Sequence, residues 1–366
     1  MRFPAGRGNV QLALNQLLNP TSIRNIIRNS NLHGISVAIG RKINCLQGVN
    51  PKRPLFPAAE DSTSRKWSSH FRHFRFTVSV MTATPPVVLT IAGFDPSSGA
   101  GITADIKTIA AHECYGVSCL TALTVQSTTG VRSVKPVDSE IISATLEHLI
   151  SDLEIAAVHI GMLGTAGAVR AVAEFLSRVK LPHVVLDPIL KSSSGMDLLE
   201  TGGWQTLIEE LIPLAEVITP NLDEASALTR LPVTNLTEMR AAAAALHSLG
   251  AVNVVITGGD LDKATDLLSF TTSRGVEQEV FKAERLRSNS THGTGCAFSS
   301  SLACLLAQGR GLPEAVLLSK AYVAAAIANA HSLGRGVGPV NHLYRMNRQR
   351  RATAGLPEVE TAHSRN

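Results

Sequence analysis

Several features of membrane and disulfide-bonded proteins are missing from this sequence of 366 residues. It has no uninterrupted apolar run of about 18 residues or more, so we expect no membrane span and no membrane partner. Its five cysteines are an odd number, and no two of them form a Cys-x-x-Cys pair. We therefore expect reduced thiols in a cytoplasmic protein, and neither a disulfide framework nor a zinc site.

Acidic side chains are almost missing from residues 1–80, which contain two of them against twelve lysines and arginines. The other 286 residues contain 27 acidic and 22 basic side chains, so the net charge of +5 comes from this leader. A mildly acidic body does not favour a nucleic-acid partner, because duplex binding needs a clustered basic face. We interpret residues 1–80 as a disordered extension, or a spurious one before a true start at Met81. An organelle transit peptide is the alternative.

From Val87 onward, short apolar runs alternate with helical stretches, a pattern typical of a parallel sheet wrapped by right-handed crossovers. Strands are predicted at residues 87–92, 117–125, 156–160, 184–186, 216–218 and 252–256, with an antiparallel pair at 266–271 and 277–283. Helices are predicted at 102–112, 138–152, 165–179, 201–211, 221–228, 236–249, 294–308 and 312–331. The prediction is one three-layer α/β domain over residues 81–343, with a mostly parallel central sheet flanked by helices. Residues 344–366 are predicted to be a basic, flexible tail.

The first turn-rich loop, residues 93–101, ends in Gly99-x-Gly101, which matches the first two glycines of a dinucleotide-binding fingerprint. However, Ala104 stands where the third glycine belongs, and no acidic residue follows about 20 residues later to hold a ribose. A dehydrogenase is therefore not favoured. Asp95 and Asp105 fit the common role of loop and helix-start acids.

A polar loop ending in Gly293-Thr294-Gly295-Cys296 opens an apolar helix. The first N–H groups of a helix have no internal partner, and the helix dipole adds about half a positive charge at that end. Such a place stabilises an anion, most plausibly a phosphoryl group in transfer. A helix start also lowers the pKa of a thiol, so we expect Cys296 to be a thiolate near neutral pH. The alternative is that Cys296 is a small buried residue and the glycines are a plain helix entry.

Polar residues that immediately follow strands meet at the edge where open α/β sheets bind ligands. Asp187 ends one predicted strand, and Asn221 and Glu224 lie three residues apart at a helix start. Their oxygens suit Mg²⁺, which prefers one or two carboxylates together with waters and substrate phosphates. The same spacing also fits a capping box, with Asn221 as N-cap and Glu224 three residues on. Both interpretations stay open at this point.

Seven blocks of the sequence resemble the hydroxymethylpyrimidine/phosphomethylpyrimidine kinases of thiamine biosynthesis. The resemblance spans residues 87–343 in unbroken order and has no counterpart in 1–80. The blocks read AGFDPSSGAGITADIK from Ala92, TALTVQSTTGV from Thr121, IGML from Ile160, VLDP from Val185, ITPNLDEA from Ile218, NSTHGTGC from Asn289 and GVGPV from Gly336. The family implies a ribokinase-like fold, ATP and Mg²⁺ as cofactors, and a homodimer. It also implies phosphorylation of 4-amino-5-hydroxymethyl-2-methylpyrimidine and then of its monophosphate.

The resemblance also implies roles for individual residues. In the pyrimidine site, Gly93, Asp105 and Gln126 would contact the ring and its amino group, and Met162 and Ile189 would wall the pocket. In the phosphoryl-transfer site, Cys296 would accept the hydroxyl proton, Gly293, Thr294 and Gly295 would form the anion hole, and Asp187 and Glu224 would hold Mg²⁺. The nucleotide would be bound by Asn221, Thr257 and Gly258.

One block departs from the family. Many relatives have Lys-Gly-Gly-His after the strand at 252–256, where this chain has Thr257-Gly258-Gly259-Asp260. A hydroxyl thus replaces the cation that faces the nucleotide phosphates. Two other functions remain open, namely a pyridoxal kinase of the same architecture and a catalytically silent homologue that binds the pyrimidine.

Overall fold

The computed structural model describes residues 84–192, 195–259, 261 and 263–346. The predicted extension at 1–80 lies outside the described residues, as does most of the predicted tail, from 347 onward. The boundaries proposed for these segments therefore remain predictions.

The core of the fold is a nine-stranded sheet with strand order β3-β2-β1-β4-β5-β6-β7-β8-β9. Strands β2, β1, β4, β5, β6 and β7 are parallel to one another, whereas β3 pairs antiparallel with β2 at one edge and β8 and β9 are antiparallel at the other. The strands are β1 Val87–Phe94, β2 Tyr115–Ser127, β3 Gly130–Pro136, β4 Ile155–Ile160, β5 Val184–Leu186, β6 Val217–Ile218, β7 Asn253–Ile256, β8 Lys263–Thr272 and β9 Gly275–Glu284.

Eight α-helices connect or follow these strands in the described residues. They are α1 Gly101–Ala111, α2 Ser139–Asp152, α3 Ala166–Arg178, α4 Thr201–Thr206, α5 Leu222–Thr229, α6 Leu236–Ser248, α7 Thr294–Ala307 and α8 Leu312–Ala328. In the part of the chain that the structure covers, none of the helices is both long and apolar enough to cross a membrane.

Apolar side chains cover both faces of the sheet, as the continuous apolar strands predict. Leu89 and Ile91 of β1 pack in one core layer with Phe175 of α3. Val88, whose side chain points to the opposite face, packs in a second layer with Leu302 of α7. The predicted three-layer α/β fold with a mostly parallel sheet is therefore confirmed.

Strand β3 was missed by the sequence analysis. Its residues are at most half-buried, so the run Gly130–Pro136 has no apolar pattern that would mark it as a strand. It pairs Gly130 with Ser127 and Val131 with Gln126. As a result β2 is longer than predicted, and Gln126 lies inside the strand instead of following it.

The helix predicted at 201–211 is also interrupted. Helix α4 ends at Thr206, and a π-helical turn at Leu207–Leu211 and a 3₁₀ turn at Ile212–Leu214 follow it. Pro213 lies in the 3₁₀ turn, where its missing N–H and its ring prevent a regular α-helix from continuing.

Removal of the Phe175 side chain is expected to destabilise the fold, because this side chain is fully buried in the layer beneath the sheet. Phe175→Ala should lower the free energy of unfolding by about 3–5 kcal/mol in urea denaturation. Leu317→Ala is a matched control on α8, since Leu317 is 52% exposed, and it should change stability by less than about 0.5 kcal/mol. Equal losses from both variants would contradict this description of the core.

Candidate active site

A cavity of about 520 Å³ lies at the carboxyl ends of the parallel strands. It brings together twelve of the fourteen residues predicted for the site, which come from loops that are far apart in the sequence. They are Gly93, Gln126, Met162, Asp187, Ile189, Asn221, Glu224, Thr257, Gly293, Thr294, Gly295 and Cys296. The expected position of the site, at the strand ends, is where the structure has this cavity.

Helix α7 opens directly onto the cavity, because Gly293 makes a tight turn just before it. Gly293 is the N-cap residue and has a φ of 82°, in the left-handed region that favours glycine. A Cβ atom there would overlap the carbonyl oxygen of Gly99, so only glycine allows the two loops to pack this closely. The first i→i−4 hydrogen bond of the helix runs from Ala297 N to Gly293 O. The amides of Gly295 and Cys296 precede this bond and belong to the unpaired first turn.

The loop before α7 is held by the segment around Gly338. His292 N donates to Gly338 O at 3.0 Å, and Gly338 N donates to Asn289 O at 2.9 Å. Gly336 packs so tightly against the backbone of Thr128 that a side chain there would overlap it. These contacts explain why the block starting at Gly336 belongs to the same site as the block ending at Cys296.

The side chains of Asp95 and His292 are in hydrogen-bonding contact, which the sequence analysis did not predict. His292 Nε2 lies 3.0 Å from Asp95 Oδ2, and it also lies 3.2 Å from Gln126 Nε2. Asp95 further accepts hydrogen bonds from the N–H groups of Ser97 and Ala100 at 2.8 and 2.9 Å. Burial opposes ionisation, but these hydrogen bonds outweigh it and lower the pKa of Asp95 to about 2. The run Asp95-Pro96-Ser97 could have indicated the role of Asp95 from the sequence. The side chain of an aspartate in such a loop commonly accepts a hydrogen bond from the backbone N–H two residues further on.

The apolar wall of the cavity lies on the side of β2 and β4. Met162 packs with Leu198, Ala122 and Ile189. Its backbone oxygen accepts a hydrogen bond from Thr121 Oγ1 at 2.5 Å, which fixes the chain after β4. A Cβ atom on Gly93 would lie 2.9 Å from Met162 Sδ, so the absence of a side chain there keeps this end of the cavity open.

Two buried carboxylates face the cavity opposite this wall. Burial raises the pKa of Asp187 to about 6, although His159 and a hydrogen bond from Ser299 act in the opposite direction. Burial and the neighbouring charge of Asp187 raise the pKa of Glu224 to about 8. Asn221 and Glu224 do form a capping box, with both hydrogen bonds at 2.9 Å. The capping interpretation is thus correct, and the same two residues also line the cavity.

Two predicted site residues, Asp105 and Gly258, do not line the cavity, and the structure gives their polar groups partners within the protein. Asp105 is fully buried between β1 and α7, where it accepts hydrogen bonds from Thr90 and Ser300 at 2.7 Å each. It therefore has no open path to a ligand in the cavity. The N–H of Gly258 donates to Asp266 Oδ1 at 3.1 Å, which removes it as a donor for a nucleotide.

Comparison with known proteins identifies the family. The phosphomethylpyrimidine kinase family matches residues 95–341. A hydroxymethylpyrimidine/phosphomethylpyrimidine kinase of Streptomyces coelicolor is 42% identical over 267 residues, which cover 73% of this chain and 97% of that protein. The chain belongs to the phosphomethylpyrimidine kinase family. It is therefore a kinase, and the sequence-based prediction of its family, of its enzyme class and of a role in thiamine biosynthesis is confirmed.

Two further relatives define the breadth of this similarity. The chain is 42% identical over 258 residues to a bifunctional thiamine biosynthesis protein of Geobacter sulfurreducens, covering 70% of this chain and about half, 52%, of that one. The structure of Bacillus subtilis pyridoxal kinase in an ADP complex superimposes with a TM-score of 0.65 at 35% identity, covering 72% of this chain and all of that one. The predicted ribokinase-like fold is thus confirmed as well.

The protonation state of Cys296 differs from the sequence-based expectation. Burial and the negative charges of Asp105 and Asp187 raise the pKa of its thiol well above the ordinary value of 9.0. A helix start alone favours a thiolate, but here desolvation and nearby carboxylates are stronger. The raised pKa favours the neutral thiol of Cys296 near neutral pH, in contrast to the thiolate expected from the sequence.

Alkylation by iodoacetamide, followed at the Cys296 peptide by mass spectrometry, checks this assignment. Only the thiolate reacts, so a raised pKa makes the rate rise about tenfold per pH unit from pH 7 to beyond pH 9. Glutathione is the control, and its rate should level off near an ordinary thiol pKa of about 8.5. A Cys296 rate that is constant between pH 6 and 8 would mean that the thiolate is already formed.

Proposed function

We propose that the protein transfers the γ-phosphoryl group of ATP to the hydroxymethyl oxygen of 4-amino-5-hydroxymethyl-2-methylpyrimidine. We further propose a second transfer, to the resulting monophosphate, which gives the diphosphate; each transfer releases ADP. One observation carries the proposal. A helix start with unpaired amides, a cysteine, two buried carboxylates and a polar residue on an apolar wall surround a single cavity.

The pyrimidine would bind against the wall formed by Met162 and Ile189. Gln126 would bond the polar edge of the ring, since its side-chain amide offers both a donor and an acceptor. His292, which contacts Gln126, would fix the orientation of that amide. A site built to bond polar ring atoms discriminates strongly against analogues that lack them, because its own polar groups would be left unpaired.

The phosphoryl group would be held at the start of α7. The amides of Gly295 and Cys296, together with the Thr294 hydroxyl, would face its oxygens, and the helix dipole favours negative charge at this end. Phosphoryl transfer depends mainly on positioning and on stabilisation of charge. A rigid anion hole, fixed by the contact between Gly293 and Gly99, supplies both.

The donor set at Asp187 and Glu224 fits Mg²⁺. Two carboxylate oxygens beside a phosphate site suit an ion that keeps several waters and takes its other ligands from phosphates. When bound there, the ion would neutralise charge on the phosphate oxygens. The raised pKa values of both acids reflect two buried carboxyl groups close together, an arrangement that a cation would stabilise. Asn221 would support the phosphates from the helix cap.

Cys296 would accept the proton of the substrate hydroxyl. Because a raised pKa favours the thiol at rest, its proton would first pass to solvent in the cavity, and the amides of α7 together with a cation at Asp187 would favour the resulting thiolate. No other titratable group lies in the first turn of α7.

Mass spectrometry of the products from ATP, Mg²⁺ and the pyrimidine alcohol, with protein started at Met81, tests the proposal. Cys296→Ala should lower turnover by about 10²–10⁴-fold, the range for loss of general base catalysis, and should leave pyrimidine binding in calorimetry unchanged. Intact turnover in Cys296→Ala would remove the cysteine from the mechanism. Binding without turnover in the wild type would instead favour the silent homologue.

Pyridoxal kinase activity is the competing substrate assignment, because the Bacillus subtilis neighbour is a pyridoxal kinase. Turnover of the two alcohols under the same conditions separates the assignments. We expect kcat/KM to be higher for the pyrimidine. A higher value for pyridoxal would reverse the assignment.

The nucleotide side of the cavity has little positive charge. Lys191 is the one lysine or arginine that lines the cavity among the described residues, and it pairs with Asp197 at 3.4 Å. Thr257 stands where the family has a lysine, and Asp260, which replaces the family's histidine, lies outside the described residues. Thr257→Lys should lower KM for ATP by about tenfold, because a hydrogen bond between charged groups contributes about 1.5–3 kcal/mol.

Thr271→Lys is the matched control for this prediction. It adds the same charge at the far end of β8, away from the carboxyl ends of the parallel strands, and should leave KM for ATP unchanged. An unchanged KM in Thr257→Lys would count against placing the nucleotide phosphates beside residue 257.

We also propose that the protein is a cytoplasmic homodimer that binds small molecules only. The family resemblance supports the homodimer, and the odd number of cysteines without a pairing pattern supports a reducing compartment. Light scattering of the purified protein tests the dimer.

A further inference from the structure

A fully buried pair of ionisable groups lies between the sheet and α7. Asp105 of α1 and His159 of β4 are both 0% exposed, and His159 Nδ1 lies 3.3 Å from Asp105 Oδ2. Neither residue lines the cavity. Burying such groups is costly unless every polar atom is paired, so their presence in an apolar sheet calls for a reason.

The pairing is complete on the side of Asp105. Thr90 Oγ1 donates to one carboxylate oxygen and Ser300 Oγ to the other, each at 2.7 Å. An aspartate with both oxygens satisfied is held rigidly, and it accepts from His159 Nδ1. Asp105, through its contact with Nδ1, therefore fixes the orientation of the His159 ring.

The other ring nitrogen of His159 points towards the active site. His159 Nε2 lies 2.9 Å from Ser299 Oγ, and Ser299 Oγ donates to Asp187 Oδ2 at 3.2 Å. Among the described residues, the Ser299 hydroxyl is the side-chain donor that the structure gives to the Asp187 carboxylate. Because Ser299 belongs to α7, the same hydroxyl connects the anion-hole helix to a carboxylate that faces the cavity.

A hydroxyl has one proton, so the role of His159 decides where that proton goes. If Nε2 accepted it, the Ser299 proton would turn away from Asp187. If Nε2 donates to Ser299 instead, the proton stays available to Asp187 Oδ2 or to Gly295 O, which lies 2.9 Å away. Ser299 Oγ has three acceptors within 3.3 Å, namely Asp187 Oδ2, Gly295 O and Cys296 O, and these favour the arrangement in which Nε2 donates to Ser299.

We propose that Asp105 and His159 are positioning residues that, through Ser299, hold the Asp187 carboxylate in the orientation in which it binds a divalent cation. The inference rests on the function proposed above, in which Asp187 is a metal ligand. It gives the buried pair a role in the reaction, although neither residue touches substrate. Residues that orient metal ligands typically affect metal affinity or activity by about 10–100-fold.

Two substitutions of His159 separate positioning from simple structural support. In His159→Gln, the side-chain amide lies about where Nε2 was and can still contact Ser299. In His159→Asn, the shorter side chain places the amide about where Nδ1 was, so it can contact Asp105 but not Ser299. Both variants lose the imidazole ring, so a purely structural role would affect both. Ser299→Ala removes the connecting hydroxyl directly. Ser301→Ala is the control, because Ser301 is equally buried on α7 but contacts His112 at 3.0 Å.

The measurements are Mn²⁺ binding in the presence of ADP, by electron paramagnetic resonance, and the kcat and KM values with the pyrimidine. His159→Asn and Ser299→Ala should raise the Kd for Mn²⁺ by about tenfold or more and lower kcat, with KM for the pyrimidine within about twofold of wild type. His159→Gln should stay within about threefold of wild type, and Ser301→Ala should be unchanged.

The inference is overturned if His159→Asn and Ser299→Ala bind Mn²⁺ as the wild type does. It is also overturned if His159→Gln and His159→Asn lose affinity equally, since that result indicates structural support alone. Wild-type protein that turns over the pyrimidine but binds no Mn²⁺ would remove the metal role of Asp187 and this inference with it, while leaving the kinase activity in place. Ser299→Ala keeps the test decisive if neither His159 variant folds.

Discussion

The active site depends on the close approach of two glycine-containing loops, one after β1 and one before α7. Gly293 packs against the carbonyl of Gly99 at a distance that leaves no room for a side chain, and the contact between the Asp95 and His292 side chains holds the same two loops together. This contact fixes the direction in which α7 begins, and hence the position of its unpaired amides. The anion hole that we propose is therefore a product of loop packing and not of the helix alone.

Burial of acidic groups is the second constraint. Asp105, Asp187 and Glu224 all lie close enough to Cys296 to raise the pKa of its thiol. A sequence shows that a cysteine begins a helix, but it does not show which carboxylates the fold gathers around it. For this reason the sequence analysis expected a thiolate at Cys296, whereas burial and the neighbouring carboxylates raise the pKa of its thiol. The closeness of these three carboxylates is also the physical reason for proposing a cation beside Asp187.

Much of the fold could be predicted because its parallel strands are buried on both faces and are therefore continuously apolar. Strand β3 could not, since it is an edge strand whose residues are at most half-buried and pair through backbone atoms. The site residues at the strand ends were predictable for the same topological reason. Asp105 and Gly258 were assigned to the site from family motifs alone, and their real partners, such as Asp266 for the Gly258 amide, depend on tertiary packing.

The sequence did contain a sign of the buried pair, in a single polar residue within an apolar strand. His159 interrupts the run Ile155–Ile160, and a histidine at such a position must find partners on both sides of its ring. One partner, Asp105, is an acid that a motif had placed in the substrate pocket. The other, Ser299, lies one turn into the helix that begins at the anion hole. In the positioning role that we propose, a buried acid such as Asp105 would act on the reaction through hydrogen bonds that extend to a group facing the cavity.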